Sequence, residues 1–299
     1  MKLEELINKA TQLDPKVVAV AAAEDEEVME AVSEAIKRNL ASFILYGNEM
    51  KISELLSKHN LEANGTILQI MDASSPKEAA QLAVKGVSSN EADVLMKGNV
   101  ATATILKEVL NKEYGLRTGS VLSHVAAFEI PGYDRLIFVT DAAMNVAPTI
   151  EQKVQIVQNS VQVARSIGVE LPKVAPLAAV EVVNPAMEAT TDAALLTQMN
   201  KRGQIAGCVV DGPLALDNAV SSLAAKHKGI ESEVAGHADI LFVPTIEVGN
   251  VLYKSLIYFA NAKVGAIIAG AKAPIVLTSR ADSAESKLNS LALAVSSVK

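Results

Sequence analysis

The chain has 299 residues, half of them hydrophobic but only 3% aromatic, with no tryptophan and a formal net charge of −7 at pH 7. This length reaches the size at which one hydrophobic core stops growing, about 250 to 300 residues, so two domains are expected. The acidic balance argues against nucleic acid or an anionic membrane as the main partner.

Helices and strands alternate along the first part of the chain. Residues 1–6 predict an acidic amphipathic helix and not a signal peptide. Such alternation is typical of βαβ units and a mainly parallel sheet, and a core of Ala, Val, Ile and Leu suits helices packed on buried strands. The hydrophobic periodicity predicts strands at 17–22, 42–46, 66–70 and 93–96, and helices at 25–39, 51–59 and 76–88.

The pattern changes between residues 120 and 140, where two β-rich runs flank the turn sequence Pro131-Gly132-Tyr133-Asp134 and predict an antiparallel hairpin. A second alternating set follows, with helices predicted at 150–167 and 188–201, and strands at 174–180, 207–210, 239–243 and 274–278.

We therefore predict an α/β protein of two α/β domains with a central cleft, the natural place for a substrate. The predicted first domain comprises residues 1–118 plus 272–299, and the second comprises residues 119–271.

Five apolar runs end on a polar or charged residue that is followed by a turn or helix signal. Because the carboxyl ends of parallel strands share one edge of a sheet, where ligands bind, these run ends indicate the active edge. The runs are 93–98, 136–141, 208–213, 240–245 and 275–280.

Several familiar site types are missing from the sequence. Cys208 is the single cysteine, which excludes an intrachain disulfide and a thiolate zinc site, and it is predicted to be a buried structural thiol. There is no Walker loop, no G-x-G-x-x-G after a strand and no G-x-S-x-G elbow. The four histidines lack zinc-type spacing, so no metal site is predicted.

No charge-free apolar stretch of about 20 residues occurs, and a cytoplasmic protein without membrane partners is expected.

The end of the last predicted strand combines a cation with a helix start. Ser279 and Arg280 precede Asp282-Ser283-Ala284-Glu285, an N-cap and capping-box pattern in which Asp282 is the predicted cap. Arg280 then stands at a helix N-terminus, where free N–H groups and the helix dipole favour an anion such as phosphate. The alternative is that Asp282 only caps the helix and Arg280 only pairs with a surface carboxylate.

Three motifs in order resemble those of the phosphate acetyl/butyryltransferase family. They are Asp211 to Ala219, the segment from Ala238 to Pro244 with Glu247 to Lys254, and Thr278-Ser279-Arg280. The resemblance continues more loosely upstream through residues 95–98, 117–120 and 140–145.

This resemblance implies a reversible transfer of an acyl group between coenzyme A and inorganic phosphate, in an isocitrate/isopropylmalate dehydrogenase-like architecture. It implies acyl-CoA and phosphate as substrates, no tightly bound cofactor, a homo-oligomer, and an acyl-phosphate-consuming kinase as metabolic partner. The hairpin at 120–140 is an element suited to pairing between subunits.

Acetyl-specific members have an aspartate six residues after the arginine, where this chain has Ser286. That departure favours the butyryl-type branch, whose Ser-Arg-x-Asp-Ser pattern matches residues 279–283.

The resemblance and the charge of the reaction give the candidate residues their roles. Arg280 would hold the phosphoryl oxygens bidentately, Ser279 would donate to the carbonyl oxygen, and Asp282 would be the general base if it is not merely a cap. Six further residues are candidates for substrate binding. These are Lys97, Thr118, Ser120, Asp211, Asn250 and Lys254. Of these, Lys97 is also interpretable as an ordinary surface residue, Asp211 as a turn former, and the pair Asn250 and Lys254 as a solvated helix face.

Three rival functions remain open at this stage. A phosphate acetyltransferase would differ only in the size of its acyl pocket. A nicotinamide-dependent, metal-assisted dehydrogenase of the same architecture would need a cluster of Asp residues that we do not find in the sequence. A non-catalytic coenzyme A binding module would bind the ligand without turnover.

Overall fold

The computed structural model describes residues 1–278 and 282–298. Within these ranges the chain forms a mixed α/β fold that divides into two compact units. The inserted unit contains Val121–Lys263 together with Met1, and the two-part unit contains Lys2–Ser120 and Val264–Lys299. Among the described residues, none of the helices could serve as a membrane span.

The two-part unit is built on six strands in the order β3-β2-β1-β4-β11-β10. All neighbouring strands are parallel except β10 and β11, which are antiparallel. The strands are β1 (Val17–Ala21), β2 (Ser42–Gly47), β3 (Leu68–Asp72), β4 (Val94–Lys97), β10 (Lys263–Ala269) and β11 (Ile275–Val276). The helices are α1 (Leu3–Ala10), α2 (Glu26–Lys37), α3 (Glu49–Lys58), α4 (Pro76–Ser88), α5 (Thr102–Val109) and α11 (Ala284–Ser296).

Local sequence signals explain these elements. The buried strand β1 consists of Val and Ala alone, as expected for a central parallel strand covered on both faces. Helix α4 begins where Ser75 accepts a hydrogen bond from Glu78 N and Pro76 occupies the first turn. Asp25 caps α2 in the same way by accepting from Val28 N at 3.0 Å.

The inserted unit is built on five strands in the order β5-β6-β9-β7-β8. The predicted hairpin is confirmed, because β5 and β6 pair antiparallel, whereas β6, β9, β7 and β8 are mutually parallel. The strands are β5 (Ser123–Glu129), β6 (Leu136–Thr140), β7 (Lys173–Pro176), β8 (Val209–Val210) and β9 (Ile240–Phe242). The helices are α6 (Ile150–Ser166), α7 (Glu188–Lys201), α8 (Leu216–Val220), α9 (Ser222–His227) and α10 (Ile246–Tyr258).

The strand predicted at 174–180 is wrong beyond Pro176. Its neighbour β8 ends at Val210, and only an isolated bridge between Leu177 and Leu214 prolongs the pairing. Without a neighbouring ladder, the following apolar residues form a loop that leads to α7.

Strand β10 was not predicted, because Lys263 and Gly265 interrupt its apolar run. Gly265 is required by packing, since a Cβ atom there would lie 2.8 Å from the backbone carbonyl of Asn289 in α11. The glycine that weakens the strand pattern therefore lets the helix approach the sheet closely.

The single cysteine is a buried thiol, as predicted. Cys208 is 7% exposed, and burial raises the pKa of its thiol to about 11. The neutral thiol predominates at ordinary pH, so Cys208 is not an activated nucleophile.

Candidate active site

The carboxyl ends of β1, β2, β3, β4 and β11 lie at one edge of the two-part unit, because these strands are parallel. Lys97 is the last residue of β4 and is only 6% exposed. Its Nζ donates to the carbonyl oxygen of Gly98 at 3.1 Å. The predicted phosphate-binding lysine is therefore a buried cation at the edge where ligands of parallel sheets bind.

The loop after β4 is held tightly against the end of β1. Gly98 N and Asn99 N donate to the carbonyl oxygens of Ala21 and Ala22 at 2.8 and 2.6 Å. A Cβ atom at position 98 would collide with the carbonyl oxygen of Ala22, so only glycine fits this turn. The loop holds the backbone next to Lys97 in one position.

Helix α5 begins immediately after this loop. Its N-cap Ala101 offers no side-chain cap, and its first turn carries no acidic residue. The open N–H groups and the helix dipole favour an anion at this end of the helix. With Lys97 just upstream, this part of the edge suits a negatively charged group better than a neutral one.

Thr118 and Ser120 lie in the exposed loop that follows α5. The Thr118 hydroxyl donates to the carbonyl oxygen of Gly270 at 2.5 Å, and Thr118 Oγ1 accepts from Ser120 N at 3.2 Å. Gly270 begins the connection between β10 and β11. Thr118 thus fastens its loop to the segment that leads into β11.

The predicted catalytic residues follow β11. Thr278 is 6% exposed and is the last described residue before the gap, and the predicted Ser279 and Arg280 lie outside the described residues. The prediction that Asp282 caps the next helix is wrong, because Ser283 is the N-cap and accepts from Ser286 N at 3.2 Å. Both residue types are good caps, so the sequence alone could not choose between two adjacent candidates.

A residue that the sequence did not suggest anchors this segment. Lys287 is 3% exposed, and its Nζ pairs with Glu27 Oε2 at 2.8 Å. The same ammonium donates to the carbonyl oxygen of Asp282. Lys287 therefore ties the start of α11 to α2.

The inserted unit has its own carboxyl edge, formed by β6, β9, β7 and β8. Asp211 follows β8, is partly buried, and donates through its backbone N to the carbonyl oxygen of Val174 at 3.2 Å. Asp141 follows β6 and is 3% exposed. Its carboxylate accepts from the backbone N–H groups of three following residues, so it shapes the loop after β6.

Asn250 and Lys254, the predicted i, i+4 pair, both lie on α10. Asn250 is partly buried and Lys254 is exposed. In the same helix, hydrogen bonds from its own backbone N–H and from the Thr245 hydroxyl lower the pKa of Glu247. The exposed surface of α10 therefore carries one anion and one cation.

Comparison with known proteins shows the family to which this chain belongs. The profile of the family described as "Phosphate acetyl/butaryl transferase" matches residues 2–83 and 74–295. The chain belongs to this family.

Two relatives and one solved structure illustrate the similarity. A protein of Bacillus subtilis named "Probable phosphate butyryltransferase" is 60% identical over 99% of this chain and 97% of its own length. A Thermotoga maritima protein named "Phosphate acetyltransferase" is 48% identical over 98% of both chains. The crystal structure of a branched-chain phosphotransacylase from Enterococcus faecalis is 39% identical, with a TM-score of 0.84 over 95% of this chain and 99% of that one.

Membership of the phosphate acetyl/butyryl transferase family confirms the resemblance drawn from the sequence. Within each unit, the structure places candidates at the predicted edge: Lys97 in the two-part unit, and Asp211 in the inserted unit. Their substrate-binding roles stay predictions, as do those of Thr118, Ser120, Asn250 and Lys254. Lys287 gave no signal in the sequence, whereas Asp141 stands at the end of an apolar run and was visible as a strand end.

Proposed function

We propose that the protein transfers a short-chain acyl group, butyryl or branched C4–C5, reversibly between coenzyme A and inorganic phosphate. Acyl-CoA and phosphate would give acyl phosphate and free coenzyme A. The observation that carries this proposal is the 60% identity, over 99% of this chain, to a relative named "Probable phosphate butyryltransferase". The family match over almost the whole chain supports the same reaction.

The longer acyl chain is supported by two further observations. The Enterococcus faecalis structure is that of a branched-chain phosphotransacylase. Ser286, where acetyl-specific members have an aspartate, is the third residue of α11, and its backbone N–H is used by the Ser283 cap. This position therefore supplies no carboxylate, and another group must accept the proton of the thiol.

The mechanism follows from the charges that develop. A phosphate oxygen attacks the thioester carbonyl carbon, a tetrahedral oxyanion forms, the C–S bond breaks, and coenzyme A leaves as a thiolate that takes up a proton. In the reverse direction the thiol loses that proton as sulfur attacks the acyl phosphate. Donors fixed in advance around the oxyanion supply most of the stabilisation.

We assign these tasks to the residues after β11. Arg280 holds the phosphoryl oxygens, because a guanidinium fork matches them bidentately. Ser279 donates to the carbonyl oxygen, and Asp282 exchanges the proton of the thiol. The finding that Ser283 caps α11 supports this role for Asp282, since its carboxylate is not needed as the cap.

Lys97 is proposed to bind the phosphate at the end of β4. Its burial and the neighbouring N-terminus of α5 support this role, because a partly desolvated cation attracts an anion more strongly than a solvated one. Thr118 would act indirectly, since its hydroxyl is engaged with Gly270 and holds the loop that presents Ser120. Asp211 would orient substrate from the inserted unit.

The finer architecture is also a proposal. We propose that the two compact units are the two domains of an isocitrate/isopropylmalate dehydrogenase-like fold, which a crystal structure with bound coenzyme A would test. The absence of a tightly bound cofactor, the kinase partner and the cytoplasmic location stay predictions.

A phosphate acetyltransferase is the second candidate, favoured by the Thermotoga maritima relative. One or two methylene groups in a pocket change discrimination by only about 1–3 kcal/mol, so substrate preference must be measured.

The test is phosphate-dependent release of free thiol from acetyl-, propionyl-, butyryl- and isobutyryl-CoA, with a control lacking phosphate. Turnover that requires phosphate and prefers four-carbon chains would support the butyryl-type proposal. Preference for acetyl-CoA would favour the second candidate, and no turnover with any thioester would refute acyl transfer.

Arg280→Ala tests the site. We expect kcat to fall by about 10²–10³-fold, the size typical of removing one preorganised donor, here the guanidinium that holds the phosphoryl oxygens. Arg202→Ala, which removes an exposed arginine at the end of α7, is the matched control and should retain activity. Equal activity of the two variants would place the phosphate clamp elsewhere.

A further inference from the structure

Lys287 lies in a position that suits a lysine poorly. It is the fourth residue of α11 and is only 3% exposed. Lysine is almost never fully buried unless it is paired, and a cation near a helix N-terminus opposes the helix dipole. Nearby on the same helix, Leu288 and Leu291 are buried apolar side chains. An apolar residue at position 287 would therefore agree better with its surroundings.

The stability of an ion pair does not account for a lysine at this position. Replacing a buried pair by well-packed apolar side chains often leaves stability unchanged or raises it, whereas buried polar groups can select one arrangement of the chain. The Nζ atom of Lys287 lies 2.8 Å from Glu27 Oε2 and donates to the backbone carbonyl oxygen of Asp282. The ammonium thus holds the backbone of the residue that is proposed to exchange the proton of the thiol.

The two partners of Lys287 belong to segments that follow two different strands. Glu27 is the second residue of α2, which follows β1, and Asp282 comes after β11. Strand β4 lies between β1 and β11 and is parallel to both, so the carboxyl ends of the three strands adjoin. The middle strand ends in Lys97. Lys287 therefore connects the segments on either side of the strand that carries the proposed phosphate-binding lysine.

The segment that carries Glu27 is itself fixed to the loop after β4. Asn99 N donates to the carbonyl oxygen of Ala22 at 2.6 Å, and Asn99 Nδ2 donates to that of Glu24 at 3.4 Å. These bonds hold the connection between β1 and α2 against the loop that follows Lys97. Because Glu27 stands in the first turn of α2, an ammonium that it binds has a defined position relative to Lys97.

We propose that Lys287 is a positioning residue for acyl transfer. Its ammonium, held by Glu27, fixes the Asp282 backbone relative to the loop after β4, and thereby the carboxylate that exchanges the proton of the thiol. Burial keeps Lys287 away from the substrates, so it acts only through Asp282. This role rests on the proposed function, because the task of Asp282 is part of that proposal.

The first experiment compares two variants that each remove a buried, paired ammonium. Lys287→Met keeps an unbranched side chain in place, and Lys153→Met does the same at the buried pair of Lys153 with Asp192 in the inserted unit. With butyryl phosphate and coenzyme A as substrates, Lys287→Met should lower kcat about 10–100-fold, because a small misplacement of a catalytic group costs that much. The KM for butyryl phosphate should stay within about 2-fold of the wild-type value.

Lys153→Met should keep the wild-type kcat, since it removes the same kind of pair far along the chain from Asp282. Circular dichroism checks that both variants are folded. An unchanged kcat in Lys287→Met, or an equal fall in both variants, would overturn the positioning role. Absence of phosphate-dependent turnover in the wild type would instead refute acyl transfer itself.

A double variant tests whether Lys287 acts through Asp282. Asp282→Asn should lower kcat, and Lys287→Met should cause no further fall in the Asp282→Asn background, because a carboxylate that is absent cannot be misplaced. Losses that multiply would refute action through Asp282. A wild-type kcat in Asp282→Asn would overturn both the task of Asp282 and the positioning role, and would leave acyl transfer standing.

The anchor is tested at Glu27, whose side chain is 49% exposed and tolerates replacement. Glu27→Gln keeps an oxygen that accepts from the ammonium and should retain most of the activity. Glu27→Ala should lower kcat in the same direction as Lys287→Met, with no further loss when the two changes are combined. Equal kcat values for Glu27→Ala and the wild type would overturn the part of the proposal that concerns Glu27.

Discussion

Helices α10 and α11 have the same length of 13 residues, yet their burial is opposite. In α11 nine consecutive residues, 287–295, are buried, whereas α10 buries only Gly249. Helix α11 packs against α1, α2 and β11, while the main packing partner of α10 is β6. The position of a helix in the fold, and not its hydrophobicity, therefore decides whether it is enclosed.

The polar residues of α11 show how the fold tolerates full enclosure. Lys287 pairs with Glu27, and Asn289 Nδ2 donates to the carbonyl oxygen of Val264 at 3.3 Å. Ser290 accepts from Ala266 N at 2.9 Å and donates to the carbonyl oxygen of Ser286 at 2.7 Å. Each buried polar group has a partner, so its desolvation is compensated.

Removing a core side chain from α11 should produce the largest effect. Leu291→Ala, at a fully buried position, should lower the free energy of unfolding by about 2–5 kcal/mol, independently of protein concentration. Val251→Ala on α10, at a position 65% exposed, should change the free energy of unfolding by less than about 0.5 kcal/mol. Urea unfolding measures both effects. A loss of equal size for Val251→Ala would remove the contrast between the helices.

The lysines of the two helices should differ in how much each stabilises the folded protein. Lys287→Ala leaves the carbonyl oxygen of Asp282 without its donor and should cost about 1–3 kcal/mol. The cost is moderate because the side chain of Glu27 is 49% exposed and can be hydrated. Lys254→Ala on α10, at an exposed position, should change the free energy of unfolding by less than about 0.5 kcal/mol. Thermal unfolding of matched samples measures both changes. A larger loss of stability for Lys254→Ala than for Lys287→Ala would contradict the expected order.

The first residues of the two helices should differ by a smaller amount of stability. Ser283 caps α11 through its hydroxyl, whereas Thr245 at the start of α10 makes no side-chain cap. Ser283→Ala should lower stability by about 1 kcal/mol, and Ser283→Asp should restore it, because both Ser and Asp accept from a first-turn N–H group. Thr245→Ala should have little effect on unfolding. Equal losses at the two caps would show that the hydroxyl of Ser283 is not what stabilises α11.

Ionisation of the buried thiol should affect stability only at high pH. Cys208 stays neutral up to a pKa of about 11, whereas an unfolded thiol ionises near 9. The unfolded state therefore loses its proton first, so the stabilising contribution is present below pH 9 and is lost as the pH rises toward 11. At pH 10 the loss should be about 1 kcal/mol relative to Cys208→Ala. At pH 8 a maleimide should label Leu223→Cys, at a position 62% exposed on α9, and leave Cys208 unmodified. Rapid labelling of Cys208 would contradict its burial.

Much of the fold was predictable, because several elements carry local signals that agree with their packing. The helices at 76–88 and 188–201 have the predicted bounds. The hairpin around Pro131-Gly132 was predictable from its turn, where Gly132 adopts a φ of +87°. Strand β10 and the end of β7 were not, since they depend on the approach of α11 to Gly265 and on where the neighbouring β8 stops.

The candidate site was predictable only where a side chain follows an apolar run. Lys97 and Asp211 stand at such ends, and the structure places each at the carboxyl edge of its sheet. The pairing of Lys287 with Glu27 joins residues 260 positions apart, so no local pattern could reveal it. The sequence could not show that Ser283 and not Asp282 is the cap, because these two capping residues are adjacent. The roles of Ser279 and Arg280 remain predictions.

The two-part unit has a consequence for the order of events during synthesis on the ribosome. Strand β4 gains its neighbour β11, and helices α1 and α2 gain their cover α11, only when the last part of the chain has been made. The inserted unit is continuous from Val121 to Lys263 and can therefore complete its own fold first. Until then the apolar faces of α1 and α2 stay open to water and to other nascent chains. A stall shortly before β11 should therefore yield a chain that binds chaperones, although most of its sequence has already been translated.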